Sequence, residues 1–358
     1  MRVVRVSPRS ASYNVYIGAG VLRDIAGHLK RAGMGERLVL ITNPFVFELH
    51  GYNLKEALTA DGFEVNVLTV PDGEEYKSLE AAGGLYDGLS AGLVERSTPV
   101  LALGGGVIGD LAGFVAATYM RGMPLVQIPT TLLAQVDSSI GGKTAVNHGK
   151  LKNQIGVFYQ PVAVFSDTSV LKTLSASQLS NGLAEIIKCA VIGDRLLFGL
   201  LERRMTELKD LEEKTLETAI LRAAAVKARI VNRDECDRGL RNVLNFGHTV
   251  GHAIESVTDF KVNHGTAVAA GMVMASRIAC RMGLFPERDL KRLMNVIAAA
   301  GLPSVMPELK IADVLEAIQH DKKVSGGKVK FILPLRIGQV VTTNKVDLAM
   351  VAEALTEY

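Results

Sequence analysis

Short apolar runs alternating with helix-spaced segments fill the first half of the chain. Val3 to Val6 and Tyr13 to Ile17 alternate with the period of two expected of strands. Val21 to Ala32 has helical spacing. Leu38 to Thr42 is an apolar strand that ends at the turn Asn43-Pro44. Leu54 to Asp61 follows as a helix, Glu64 to Val70 as a strand and Ser78 to Gly92 as a helix. Val100 to Leu103, Leu125 to Ile128 and Val162 to Phe165 read as buried-type strands. Such alternation predicts a mainly parallel sheet with helices on its faces. From about Ser175 the pattern changes to long helical spacings: Ser180 to Ile192, Leu216 to Asn232, Thr266 to Met282, Glu287 to Ala300 and Ile311 to Gln319. A basic turn is expected over 321–328, before the strand-like Lys330 to Leu333. The reading is two domains, an α/β domain over 1–174 and a helical domain over 175–358.

Composition narrows the function classes. The 358 residues suffice for two domains, and 48% hydrophobic with 22% charged content fits a globular chain with a sizeable core. A net charge of +3 is too small to imply nucleic acid or an anionic membrane. Cys189, Cys236 and Cys280 are odd in number and form no CxxC pair, so free thiols in a reducing cytoplasm are expected. The N-terminus lacks the apolar core of a signal peptide, and no uninterrupted apolar run is long enough to span a membrane.

Three stretches carry chemistry. Gly104, Gly106 and Gly109 satisfy GxGxxG directly after a strand and before a small-residue helix through Thr118. Missing side chains there let backbone amides approach a pyrophosphate, although a tight turn under a close-packed helix would use the same glycines. The motif follows a late strand, and Pro129-Thr130-Thr131 stands where an acidic ribose contact is usual, so a dinucleotide with a non-standard ribose contact is expected. Gly141-Gly142-Lys143-Thr144 lacks the upstream glycine of a phosphate-binding P-loop, position 137 being Asp, which excludes that reading. The polar stretch Gln135 to Thr144 reads instead as a loop carrying Asp137 and Lys143 into a cleft.

The third stretch lies in the helical half. Three of the seven histidines fall between positions 248 and 264, and His248 and His252 are i and i+4 on one helix face. Two imidazoles so placed reach one metal, and His264 would close on the same point; structural helix histidines are the plainer alternative. Spacing alone does not say which histidines ligate. Glu185, flanked by apolar residues and i,i+3 to Lys188, is a candidate third ligand, since a buried carboxylate needs a cation; a surface ion pair is the commoner case. Lys143, Lys188, Lys227, Arg241 and Lys322 exceed what a simple alcohol needs and suit a substrate bearing phosphate and carboxylate. The sum is a metal- and dinucleotide-dependent enzyme acting on an anionic polyol.

The segments DGEEYK (72–77), GGGVIGD (104–110), RGMPLVQIPTTLLAQVDSSIGGKTAVN (121–147), KNQIGVFYQP (152–161), GLAEIIK (182–188), GLRNVLNFGHTVGHAIE (239–255), HGTAV (264–268) and DKK (321–323) resemble the 3-dehydroquinate synthase family, in order, over nearly the whole chain. The resemblance implies a Rossmann-like dinucleotide-binding domain followed by an all-α domain. It implies the shikimate-pathway conversion of a seven-carbon keto-acid sugar phosphate (DAHP) to 3-dehydroquinate with loss of phosphate, with NAD oxidising an alcohol transiently and Zn2+ or Co2+ binding the substrate hydroxyls. By resemblance Glu185, His248 and His264 are the metal ligands and His252 lies on the substrate side. Arg121, Asp137, Lys143, Asn153, Lys188, Lys227, Asp237, Arg241, Asn245 and Lys322 match substrate or catalytic positions. Asp72, Gly73, Glu74, Glu75, Tyr76, Lys77, Gly105, Gly106, Val107, Ile108, Gly109, Asp110, Thr130, Thr131, Lys143, Lys152, Val170, Leu171, Lys172 and Thr173 match NAD positions. The family is commonly a cytoplasmic homodimer, with no nucleic-acid or membrane partner.

The chain departs from the family at a few points. Thr266 stands for a usual glutamate, Asp237 for a glutamate and Ser175 for the proline of a TLP run, while Asn43 replaces an acidic residue near the adenosine ribose. No metal ligand is lost. The rival expectations are another sugar-phosphate cyclase, a metal-dependent polyol dehydrogenase, and a dinucleotide-binding protein without chemistry.

Overall fold

A computed structural model describes residues 1–149, 151–259, 261–303, 309–324 and 329–356, with the side chains of 320–324 outside that description. The chain forms two compact units, Met1–Ser175 with Lys227–Cys236, and Ala176–Val226 with Asp237–Tyr358.

The first unit is built on strands β1 (Arg2–Val6), β2 (Tyr13–Gly18), β3 (Arg37–Thr42), β4 (Glu64–Thr69), β5 (Val100–Gly104), β6 (Leu125–Pro129), β7 (Lys143–His148), β8 (Leu151–Phe158) and β9 (Ala163–Asp167). Seven of them make one sheet in the order β1-β2-β9-β6-β5-β3-β4. Every pairing in it is parallel except β1 with β2. The central strands are mainly apolar and buried because both faces are covered. Val39, Ile41, Val100 and Ala102 point to one core with the helices Leu79–Ala91 and Gly106–Thr118. Leu38, Leu40, Leu101 and Leu103 point to the other, with Ile25–Arg31 and Tyr52–Ala60. The chain passes from β3 out to β4 and returns on the other side of β3 as β5. The glycine turn after β5 therefore lies at a switch point, where such sheets open a ligand crevice.

The helix Gly106–Thr118 is set tightly against its neighbours by its small residues. A Cβ on Gly109 would lie 2.8 Å from Gln127 Oε1, and one on Gly113 2.5 Å from Thr144 Cγ2. The polar stretch after β6 is not an extended loop. It forms a five-residue π-helix, Ala134–Ser138, and then the antiparallel hairpin β7–β8.

The second unit is helical, with one hairpin, Phe331–Arg336 against Gln339–Thr343. At its centre is the helix His264–Arg281, buried along Ala267 to Ser276. A Cβ on Gly271 of that helix would lie 1.9 Å from the carbonyl oxygen of Gly247, so the helix His248–Val257 meets it backbone to backbone. The helix Arg195–Lys209, without a clear sequence signal, starts where the Asp194 side chain accepts a hydrogen bond from Leu197 N at 2.9 Å. Of the basic turn expected over 321–328, residues 321–324 are instead the end of a helix, Ile311–Val324, and 325–328 lie outside the described residues. Lysines are good helix formers, and the first glycine comes only at Gly326. The side chain of Lys322 lies outside the described residues.

One long helix, Glu213–Arg233, serves both units. Its last turns and the following residues are fastened within the first unit. Asn232 Oδ1 accepts from Ser7 N at 2.7 Å, and Glu235 accepts from Ser10 N at 3.1 Å and from Gln160 Nε2 at 3.0 Å.

Candidate active site

In the helical unit, three helices bring one carboxylate and two imidazoles together. Glu185 comes from Ala176–Gly193, His248 opens His248–Val257, and His264 opens His264–Arg281. One ligand atom from each lies within 4.8 Å of the others. Glu185 Oε1 is 3.6 Å from His248 Nε2 and 3.2 Å from His264 Nε2. Ligands 2.1 Å from a tetrahedral metal stand about 3.4 Å apart, so the triangle fits a zinc-sized cation. One carboxylate with two histidines is also a catalytic zinc set that leaves a position open.

The surroundings prepare these donors. His248 Nδ1 lies 3.2 Å from the carbonyl of Phe246; a proton there leaves the Nε2 lone pair for the cation. Burial and then the charge of Lys188 push His248 down to about 3, against the pull of Glu185, so its imidazole is neutral. Burial pulls His264 the other way from its carboxylate partners, Glu185 and Glu255, which together carry it up to about 10. Lys188 pairs with Glu185 inside the core, where both are buried. His252 is exposed, with its ring edge-on to His248 at 5.2 Å between centroids. Arg241 is buried and Asn245 exposed, both in the 3-10 helix Leu240–Asn245, while Asp237 sits just before it in a left-handed conformation at φ 55°.

Sequence reasoning gave Glu255 no role. It is buried, and its Oε1 lies 3.4 Å from His264 Nδ1. The signal was available: Glu255 is i+7 from His248, on the face that already carries His248 and His252.

The first unit gathers a second set around the glycine turn. Gly105 precedes Gly106–Thr118 without any side-chain cap, leaving the first-turn amides for a ligand. A Cβ on Gly105 would come within 3.2 Å of Thr131, and one on Gly106 within 3.2 Å of Ser138. Lys77 is buried and its Nζ donates to Asp110 Oδ2 at 2.6 Å and to Asn153 Oδ1 at 2.5 Å. Burial raises the Asp110 carboxyl, with Lys77 acting against that. Lys227 donates to the backbone oxygen of Asp137 at 2.6 Å and also pairs with its carboxylate. The π-turn at Asp137 presents both oxygens to that one cation.

Other residues named from sequence lie on several elements of the first unit. Asp72 takes a hydrogen bond from Asn43 Nδ2 at 2.7 Å, so an acidic group does stand beside the residue that replaces the usual acid. Val170, Leu171, Lys172 and Thr173 lie in the 3-10 helix Thr168–Thr173, and Thr173 Oγ1 is 3.0 Å from His50 Nε2. Lys143 opens β7, and Lys152 lies near the start of β8. Arg121 is not brought to the glycine turn. It follows the far end of Gly106–Thr118, about 20 Å along the helix axis.

Known proteins share this sequence and fold. Residues 67–181 match the family model "3-dehydroquinate synthase N-terminal", and 182–324 match "3-dehydroquinate synthase C-terminal". A 3-dehydroquinate synthase of Dehalococcoides mccartyi is 47% identical over 357 residues, covering 100% of this chain and 99% of that protein. A 2-epi-5-epi-valiolone synthase of Streptomyces hygroscopicus, solved with NAD+ and Zn2+, superposes with a TM-score of 0.90 at 30% identity, covering 100% of this chain and 99% of the other. A 2-deoxy-scyllo-inosose synthase, solved with carbaglucose-6-phosphate, NAD+ and Co2+, gives 0.91 at 27% identity, with 99% of each chain covered. With both halves matched and near-half identity along its full length, the chain belongs to the 3-dehydroquinate synthase family.

Proposed function

We propose that this protein converts DAHP to 3-dehydroquinate and phosphate in the shikimate pathway, using NAD and a divalent metal, Zn2+ or Co2+. The observation that carries the reading is the Glu185, His248 and His264 triangle, whose spacing suits a tetrahedral metal. Bound NAD would accept and return a hydride, and the metal would polarise the substrate's alcohol oxygen.

The chain's own groups have definable work. Glu185, His248 and His264 hold the metal, and Glu255 fixes the ring of His264. The open first turn of Gly106–Thr118 would hold the pyrophosphate of NAD, and Glu74, Lys77, Asp110, Thr130 and Thr131 would contact the cofactor. Asn153, Lys143, Asp137 with Lys227, Lys188, Arg241, Asn245 and His252 serve the substrate, whose phosphate and carboxylate account for the cations. Because the hydride taken from the substrate alcohol would be returned after phosphate is eliminated and before the ring closes, the reaction would leave no net change in NAD. A cytoplasmic homodimer belongs to the same reading. Free cysteines and the absence, among the described residues, of a helix able to cross a membrane are consistent with it.

The metal-loaded protein should release phosphate from DAHP with catalytic NAD, form dehydroquinate and accumulate no NADH. Phosphate release from other sugar phosphates alone would move the assignment to another cyclase. Stoichiometric NADH from a polyol would replace it with a dehydrogenase.

A further inference from the structure

Asn147 joins the groups of the first unit, yet neither sequence spacing nor family resemblance gives it a role. It lies near the end of β7 and is half-buried. Its side-chain oxygen accepts from Asn153 N at 2.9 Å. Its side-chain nitrogen donates to the Glu74 backbone oxygen at 3.3 Å and to Glu74 Oε1 at 2.9 Å. Its own backbone N–H donates to Lys77 O at 2.8 Å, and it bridges to Ser78. The residue thus ties the 72–77 loop to the β7–β8 hairpin.

The chemistry of that position is narrow. One neighbour is an N–H donor and the other presents two acceptors, so the group between them must accept on one side and donate on the other. A carboxamide does both from one planar fork, whereas a carboxylate only accepts. The tie also acts on a strained residue. Asn153 has φ 56°, in the left-handed region, and its side chain takes the second hydrogen bond from Lys77, whose first goes to Asp110. Glu74, Asn147, Asn153, Lys77 and Asp110 form one continuous network.

We infer that Asn147 is a positioning residue that locks the cofactor-contact loop, through Glu74 and Lys77, to the substrate-contact residue Asn153. The inference rests on the cofactor and substrate assignments above. It predicts that the two halves of the amide bond serve different ligands: donation to Glu74 supports NAD, and acceptance from Asn153 supports the substrate.

Asn147→Asp keeps an acceptor for Asn153 and sets a carboxylate against Glu74; Asn147→Ala removes both bonds. Each would be compared with the metal-loaded wild type for NAD affinity by calorimetry, KM for DAHP at saturating NAD, and melting temperature. Asn147→Asp is expected to weaken NAD about tenfold while KM for DAHP stays within about twofold, and Asn147→Ala to weaken both. Unchanged values in Asn147→Ala would overturn the role. So would an Asn147→Asp protein whose NAD affinity and KM worsen together in step with a lowered melting temperature. A wild type that bound no NAD would overturn the cofactor reading and this role with it, and that result precedes any variant.

Discussion

Glu255 holds the far side of the ring that His264 offers to a metal, and this makes it the most informative residue to change. Glu255→Gln keeps the shape and removes the charge against Nδ1. Zinc affinity, read by competition with a chelator, should fall about 10- to 100-fold with little change in melting temperature; an unchanged affinity would make the contact merely structural. Burial also separates residues that spacing leaves equivalent. His248 and His252 are i and i+4 in the sequence, but His248 is buried beside Glu185 and His252 is exposed. Cysteine reactivity follows the same logic. Burial and then the Glu287 carboxylate push the Cys280 thiol up to about 12, so at pH 8 it carries almost no thiolate. A thiol reagent at pH 8 should label exposed Cys236 well before Cys280, and labelling of Cys280 should rise as pH climbs towards 12. Rapid modification of Cys280 at pH 8, mapped by mass spectrometry, would contradict this.

At the scale of elements, continuous apolar runs and long helical spacings were legible, while the polar stretch after β6 was not. The runs at Leu38 to Thr42 and Val100 to Leu103 are continuous because both faces are buried, and both are strands. The polar stretch expected to be a loop runs into β7, and nothing in the pattern marks the hairpin β7–β8. Lys143, Asn147, Lys152 and Asn153 occupy strand positions for reasons other than burial and erase the alternation that marks a strand. The contact between the helices that carry His248 and His264 is also invisible in periodicity, because its key residue is a glycine. Gly271→Ala places a methyl group on the Gly247 carbonyl and must push His248–Val257 away from His264–Arg281. It should cost about 1–3 kcal/mol or more in denaturant unfolding and weaken metal binding as well. A variant that kept both would mean that the helices are free to separate.

For the molecule as a whole, the change of texture near Ser175 was legible because it is a change of period. The return of Lys227–Cys236 to the first unit was not, since a helix reads alike whichever core it serves. Net charge and composition do not choose among small anions; that choice rests on where individual lysines and arginines stand.

The path of the long helix Glu213–Arg233 has a consequence for how such a protein can be taken apart. The chain passes between the units three times, after Ser175, after Val226 and after Cys236. A gene cut at the first crossing yields a front piece in which Ser7, Ser10 and Gln160 lose their partners Asn232 and Glu235, and Asp137 loses Lys227. Simple end-to-end exchange at that point would therefore part the segment 227–236 from the unit in which it packs.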